Sequence, residues 1–368
     1  AILQMISILL PSPSIRSRSA IYIVDGLYVT IKFLMKVIGF DECVVFKSMG
    51  MYEFLLPLTA LTTLPFFRSI AGIIFMMKKI LIFEYITGGG LIEKKVDNSL
   101  LYEAQFILNS LINARNYQIE FFCDYRHRYK NKKGAVIVSK NNAEILYNSD
   151  FINSYDYYLP ICPENYLIYY NYVKKIAPDV NNINLSCART ILMTSDKLTF
   201  KEICNKKNIP NPDLFDFNTG NKLYIEKDRT GCGSANVRIV KDNKSYKIDR
   251  IIEKYIPGSS FSISLHVTHK SYHIMSINRQ IIQKKKNHIK LKALVVNIYP
   301  TFTNHLYNFV ENILNAFPKL RGFIGLDFIE YKGELFLIEI NSRYTTSMSL
   351  IERCKKKNPL DYICNRGT

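Results

Sequence analysis

The chain has 368 residues, 48% of them hydrophobic and 22% charged, with a formal net charge of +18. That length and balance exclude a disordered chain and a small disulfide scaffold, and they leave room for two or three packed units. The excess of Lys does not by itself mark a nucleic-acid binder: lysines are scattered among Asn, Ile and Tyr, and the one dense run, Lys284-Lys285-Lys286, reads as a solvated loop.

Residues 1–76 read differently from the rest. A Pro/Ser/Arg patch at 11–19 leads to an almost uncharged stretch at 54–67, interrupted by Pro57 and Pro65 and followed by Arg68. A clean membrane span needs about 20 uninterrupted apolar residues, and a secretory signal puts a short apolar core near the start. The first clear α/β pattern follows Met76-Met77, so the functional protein is expected to begin there. Residues 1–76 are then an atypical extension that reflects a misassigned start or the remnant of a neighbouring reading frame, with a genuine membrane-associated extension as the alternative, and no membrane is expected for residues 77–368.

After Met77, residues 80–86 form an apolar run typical of a buried strand, Gly88-Gly89-Gly90 a turn, and 99–115 an amphipathic helix. Strands are predicted at 118–123, 135–138 and 157–161, with a helix after Pro163, which together make a small open α/β sheet. Its βα turn is a natural ligand site, so Glu84, Gly88, Gly89 and Gly90 are candidates for gripping a substrate. Plain turn geometry explains the glycines equally well, because they lack both the G-x-G-x-x-G spacing and a P-loop Lys.

From Ser195 a new pattern begins. Ser195 or Asp196 is the predicted N-cap of a helix starting at Lys197, and Pro210 and Pro212 follow its end. A strand at 223–227 ends in Lys227 and runs into a glycine-rich loop containing Gly231, Gly233 and Ser234. Residues 251–258 include Glu253-Lys254-Tyr255-Ile256, and alternating strands follow at 261–267 and 272–279. His266 and His269 would leave opposite faces of the first of these, which argues against a zinc site with His273. Eight Cys without any C-x-x-C pair read as reduced thiols of a cytoplasmic protein.

The strongest local signal lies near the end. Two predicted hairpin strands, 322–330 and 335–343, each carry an acidic residue inside an apolar run, Asp327 and Glu339. A buried carboxylate needs a cation or a donor, and Glu339, Asn341 and Arg343 alternate onto one face. Carboxylate and amide oxygens are the ligands Mg²⁺ prefers. Asp327 can share a cation with Glu339 only if both leave the same face: a two-residue turn at Lys332-Gly333 would set Asp327 opposite Ile338. A three-residue or bulged connection is therefore predicted, with Gly325, Asp327, Leu337, Glu339 and Asn341 toward a cleft and Leu326, Phe328, Ile338 and Ile340 behind.

Gly-x-x-Gly-x-Asp followed by Glu-x-Asn-x-Arg resembles the metal-binding end of the ATP-grasp superfamily, and the other motifs stand in the matching order from Ser195 onward. The resemblance implies an α/β (α+β) ATP-grasp fold: two α+β subdomains at 186–258 and 259–356 gripping ATP, a Rossmann-like pre-ATP-grasp domain at 77–185, and a tail at 357–368. It implies that Lys197 and Lys227 contact phosphate oxygens, that Gly231, Gly233 and Ser234 cover the β- and γ-phosphates, and that Glu253 to Ile256 hold adenine through main-chain groups. Asp327, Glu339 and Asn341 would carry Mg²⁺, with Mn²⁺ a workable substitute. Arg279, ending its predicted strand, and Arg343 would stabilise charge on the transferring phosphoryl group.

The sequence departs from the usual motifs at Lys227-Asp228, where Lys-Pro is common, at Asn341-Ser342-Arg343, where Asn-Pro-Arg is common, and at Ser260, where a ribose-binding Glu often stands. The opening 83–90, Asn278-Arg279-Gln280 and the ending 339–347 are similar to the subfamily that joins L-glutamate to tyramine in methanofuran biosynthesis. That similarity implies small-molecule acid and amine substrates and an acyl-phosphate intermediate, and it permits a homodimer. A ligase acting on other amino acids or on a pterin cofactor, a small-molecule kinase, and a non-catalytic nucleotide- or nucleic-acid-binding module are the rival readings.

Overall fold

Near-continuous apolar strands require cover on both faces, and four of them build the first sheet of this protein. The computed structural model describes residues 77–215, 223–231, 236–241 and 248–364, together with the strand pair 45–48 and 51–54. That pair, β1 (Val45–Ser48) and β2 (Met51–Phe54), is antiparallel with Ser48 opposite Met51. It belongs to a unit, Ala1–Met76, separate from Met77–Thr368. The Pro/Ser/Arg patch and the apolar stretch after Phe54 lie outside the described residues. Among the described residues, no helix is long and apolar enough to cross a membrane.

The unit that starts at Met77 opens with β3 (Lys79–Glu84), followed by β4 (Gln118–Asp124), β5 (Ala135–Val138) and β6 (Tyr157–Ile161). They form a parallel sheet in the order β5-β4-β3-β6. Residues Ile80, Leu81, Ile82 and Phe83 are completely buried because helices pack on both faces. After β3 comes α1 (Asn98–Ile112), capped by Asp97, whose carboxylate accepts from the backbone N–H of Ser99 at 2.8 Å. Two helices, α2 (Ser149–Asn153) and α3 (Ile168–Ile176), flank the end of the sheet, and α4 (Ala188–Ser195) and α5 (Lys197–Lys206) lead away from it. Asp196 is the N-cap of α5, accepting from Leu198 N–H at 3.0 Å.

Alternating patterns build the second sheet, in which every pairing is antiparallel. Its strands are β7 (Leu223–Asp228), β8 (Arg238–Lys241), β9 (Arg250–Lys254), β10 (Ser259–Val267), β11 (Tyr272–Lys285), β12 (His288–Val296), β13 (Gly322–Tyr331) and β14 (Glu334–Asn341). They lie in the order β14-β13-β10-β11-β12-β8-β7-β9. One face is packed by α5 and by α6 (Thr303–Ala316), whose Leu306, Val310 and Ile313 meet Ile324, Leu326, Phe328 and Leu337. The opposite face is left for the cleft. A parallel sheet and an antiparallel sheet with helices on both give the expected α/β class.

Two expectations need correction. β11 does not end at Arg279: Lys284 and Lys285 pair with Ile289 and His288 of β12, so most of the Lys run is strand and only the turn at Lys286 is loop. His266 and His269 do not lie on opposite faces, because β10 ends at Val267 and His269 sits in the following turn. All three His line one cavity of about 790 Å³. Burial pushes His266 down to about 4, and among the described residues no group of three or more His, Cys, Asp or Glu side chains could hold a metal ion.

Candidate active site

The hairpin β13–β14 brings its two carboxylates together by a route the sequence only half discloses. Lys332 and Gly333, at φ 54° and 85°, make a two-residue turn with Tyr331 opposite Glu334. That register alone would face Asp327 with Ile338. An extra residue, Ile338, bulges from β14 between the Phe328–Leu337 and Asp327–Glu339 pairs, and it restores Asp327 opposite Glu339. The predicted bulge is present and the three-residue loop is not. The bulge also exchanges two side chains: Leu337 is fully buried in the apolar core, while Ile338 lines the cleft beside Glu339 and Asn341. Core demand explains the exchange, since Leu335, Leu337 and Ile340 all reach the α6 side.

Asp327 sits in an electrostatic conflict. Burial and the neighbouring Glu339 push its carboxyl up to about 7, and Gln280, Arg343 and Asn341 offset this only in part. Gln280 Nε2 donates to Asp327 Oδ1 at 3.0 Å and Asn341 Nδ2 to Oδ2 at 3.4 Å. Two facing carboxylates and an amide supply hard oxygen ligands, with Lys197 and Arg343 as the neighbouring positive charges. This donor set fits a divalent cation that takes its remaining ligands from phosphate and water.

The cleft above them has a volume of about 520 Å³ and is lined by Lys227, Glu253, Lys254, Tyr255, Ile256, Asp327, Glu339 and Asn341 among others. Lys227, at the end region of β7, is buried and forms an ion pair with Glu253 Oε1 at 2.6 Å. Burial lowers the Lys227 ammonium pKa against the pull of Glu253. Burial opposes ionisation of Glu253 as well, but Lys201 and Lys227 outweigh it and hold its carboxyl below the ordinary range. The Glu253 side chain therefore serves the lysines. In the adjoining hinge, Lys254 and Tyr255 donate their backbone N–H groups to Asp213 and Leu223 at 2.8 and 3.0 Å. Lys197, at the start of α5, donates from Nζ to Gly231 O at 2.8 Å and lies 3.7 Å from Glu339 Oε1, tying the loop entrance to the carboxylates. Gly233 and Ser234 lie outside the described residues.

The two arginines separate. Asn278 donates to Ser262 and Ser264 hydroxyls at 3.2 and 3.3 Å, and Gln280 reaches Asp327, so strand alternation sends Arg279 between them to the opposite face. There it is exposed and borders a second cavity with Phe261, Tyr299 and His305. Arg279 nevertheless also lines the cleft that holds Asp327 and Glu339. Arg343 does lie near them: its charge acts on Asp327, its Nη1 donates to Tyr344 O at 3.2 Å, and its Nε is 3.8 Å from Glu164 Oε2. Glu164, just beyond β6, was not found from sequence. It is 1% exposed and also accepts from Ser342 N–H at 3.3 Å, and burial raises its carboxyl pKa against Arg343.

Glu84 and its glycines behave as a turn. The Glu84 carboxylate accepts from Thr87 N–H at 2.7 Å and Thr87 Oγ1 at 2.6 Å, and burial raises its pKa. A Cβ at Gly88 would stand 2.6 Å from Glu84 O, and Gly89 has φ +98°. Steric demand accounts for these glycines without a ligand. Lys201 is the other residue that sequence reading missed, although its spacing of four from Lys197 puts both lysines on one helix face.

Residues 194–347 match the family model described as an ATP-grasp domain. Over 284 residues the chain is 26% identical to the tyramine–L-glutamate ligase of Methanocaldococcus jannaschii, covering 75% of this chain and 85% of that one. Its fold is similar to that of an ATP-grasp superfamily protein from Archaeoglobus fulgidus, with TM-score 0.63, 22% identity, and coverage of 77% of this chain and 87% of the other. It is also similar in fold to an L-amino acid ligase from Bacillus licheniformis, with TM-score 0.53, 15% identity, and coverage of 76% and 71%. The chain thus carries an ATP-grasp domain at residues 194–347, and over three quarters of its length it is similar to a relative named as a ligase.

Proposed function

We propose that this protein joins a carboxylic acid to an amine at the expense of ATP, with L-glutamate and tyramine as the substrates and methanofuran biosynthesis as the setting. The observation that carries the reaction class is the juxtaposition of Asp327 and Glu339 in the same cleft as Lys227. The acid and amine identities rest on the relative named tyramine–L-glutamate ligase. Free thiols at Cys123, Cys162 and Cys204 accord with a cytoplasmic setting, where ATP is supplied.

A carboxylate is a poor electrophile until one of its oxygens becomes part of a leaving group. In this reading a carboxylate oxygen of the acid attacks the γ-phosphorus of ATP, the bond to the β-phosphate oxygen breaks, and ADP leaves. The neutral amine then attacks the acyl carbon, phosphate departs with the electron pair of the C–O bond, and the amine nitrogen gives up a proton. Lys227 and Lys197 bind and orient phosphate oxygens. Arg343, held beside Glu164, stabilises negative charge as it develops on the transferred phosphoryl group and the acyl oxygen. A divalent cation, when bound by Asp327, Glu339 and Asn341, supplies charge neutralisation on the phosphate oxygens. Adenine would lie along Lys254 to Ile256, and the glycine-rich loop at Gly231 would cover the phosphates.

The test is an assay of purified protein with ATP, Mg²⁺, L-glutamate and a panel of amines, scored for ADP and amide together. One ADP per amide, with tyramine the best amine, is the expected result. A phosphorylated acid that accumulates without any amine requirement would make the protein a kinase. ADP and amide formation confined to other acids would leave the reaction class standing and remove the glutamate assignment.

A further inference from the structure

Three ionisable side chains behind the cleft form a closed cluster. Glu253 lies with Oε2 2.7 Å from Lys201 Nζ and Oε1 2.6 Å from Lys227 Nζ, and the three side chains are 4%, 1% and 8% exposed in that order. Two ammonium groups share one carboxylate, so one positive charge is left in excess. A buried charge without a counter-charge is costly, which favours arrival of an anion. The two lysines are not equivalent. Lys201 is fixed by further bonds from Nζ to Pro212 O at 2.6 Å and Asn211 Oδ1 at 3.3 Å, whereas Lys227 lines the cleft.

We propose that Lys201 is a positioning residue for the nucleotide, saturating one oxygen of Glu253 so that Lys227 keeps surplus positive charge directed at a phosphate in the cleft. The inference rests on reading that cleft as the ATP site. Without Lys201, Glu253 and Lys227 would become a neutral pair, and the carboxylate would compete with phosphate for the Lys227 ammonium. Lys201 itself need not touch the nucleotide.

The experiment is a double-mutant cycle on the full chain, with binding of MgADP measured by calorimetry for wild type, Lys201→Met, Glu253→Gln and the double variant. Lys201→Met is expected to bind about tenfold more weakly, the scale of losing one screened charge interaction at an effective dielectric near 20. In the Glu253→Gln background the same substitution is expected to change affinity by less than about threefold, because there is no carboxylate left to saturate. Turnover at saturating ATP is expected to stay within about threefold of wild type in Lys201→Met, so the effect appears in KM. Equal losses in both backgrounds would overturn the role, since they would mean that Lys201 supports the fold or binds phosphate directly. If Lys201→Met does not fold, the comparison of Glu253→Gln with the double variant decides alone: a tenfold gap between them refutes the proposal. Wild-type protein that binds no MgADP would instead remove the reading of the cleft on which the proposal stands.

Discussion

Replacing Asp327 by Asn should make the protein more stable and inactive at once. The folded protein holds this carboxyl at about 7 against 3.8 for the ordinary group, through burial and the charge of Glu339. A raised pKa means that the contribution of Asp327 to stability is fully present below about pH 4 and is lost as pH rises through about 7. Over that window the folded protein must release a proton beside another carboxylate, while the unfolded chain has already released it. At about 1.4 kcal/mol per pH unit the gap amounts to about 4 kcal/mol, and the partial solvent contact of Asp327 screens this to about 2–4 kcal/mol. Asn has no proton to lose. Urea unfolding with EDTA and no nucleotide should therefore show Asp327→Asn more stable than wild type by that amount at pH 8 and nearly equal to it at pH 4. Equal stability at pH 8, or a difference that does not change with pH, would refute the account of two carboxylates in conflict. Turnover of the same variant should fall by about 10²-fold or more if the pair holds the cation.

Arg343→Ala should lower kcat by about 10²-fold or more while leaving MgADP affinity within about threefold, because its contact is reserved for developing charge; a matching loss of affinity would put it on the ground-state nucleotide instead. Gly88→Ala should destabilise by about 1–3 kcal/mol in thermal or urea unfolding, since the new Cβ meets a backbone carbonyl at 2.6 Å; an unchanged midpoint would show that the turn relaxes freely. A protein of residues 77–368 should fold and bind MgADP as the full chain does, since Met77–Thr368 is a compact unit. Insoluble or non-binding protein, with the full chain active, would give residues 1–76 a necessary part.

Much of the site was legible because chemistry forced it. Acidic residues inside apolar runs, at Asp327 and Glu339, had to have partners, and Lys197 and Lys227 stood at a helix start and a strand end. The bulge position was not legible, because whether Leu337 or Ile338 enters the core depends on what α6 presents to the sheet. Arg279 was less legible: its neighbours Asn278 and Gln280 aim their amides at Ser262, Ser264 and Asp327, and Arg279 stands exposed, lining both the cleft and a second cavity. The helix α4, Ala188–Ser195, carries three β-branched residues in eight and gives little local helical preference, so its existence is a tertiary effect. Glu253 was assigned by analogy to main-chain contacts, and its side chain's two ammonium partners come from segments 26 and 52 residues away in sequence, a long-range pairing that no local pattern reveals.

The single-residue bulge at Ile338 gives the hairpin slack in one direction only. Removing one residue between Phe336 and Glu339 would absorb the bulge and return the two strands to plain pairing with Glu339 still opposite Asp327, and lengthening the exposed tip at Gly333, where a Cβ would meet nothing within 4 Å, leaves the flanking register intact. Length variation in this segment is therefore tolerated at the tip and as loss of the bulged residue. Adding one residue to that arm has no such slack: without a second bulge it would move Glu339 out of register with Asp327 and onto the other face, so the chemistry at the base of the cleft depends on residue count as well as residue identity.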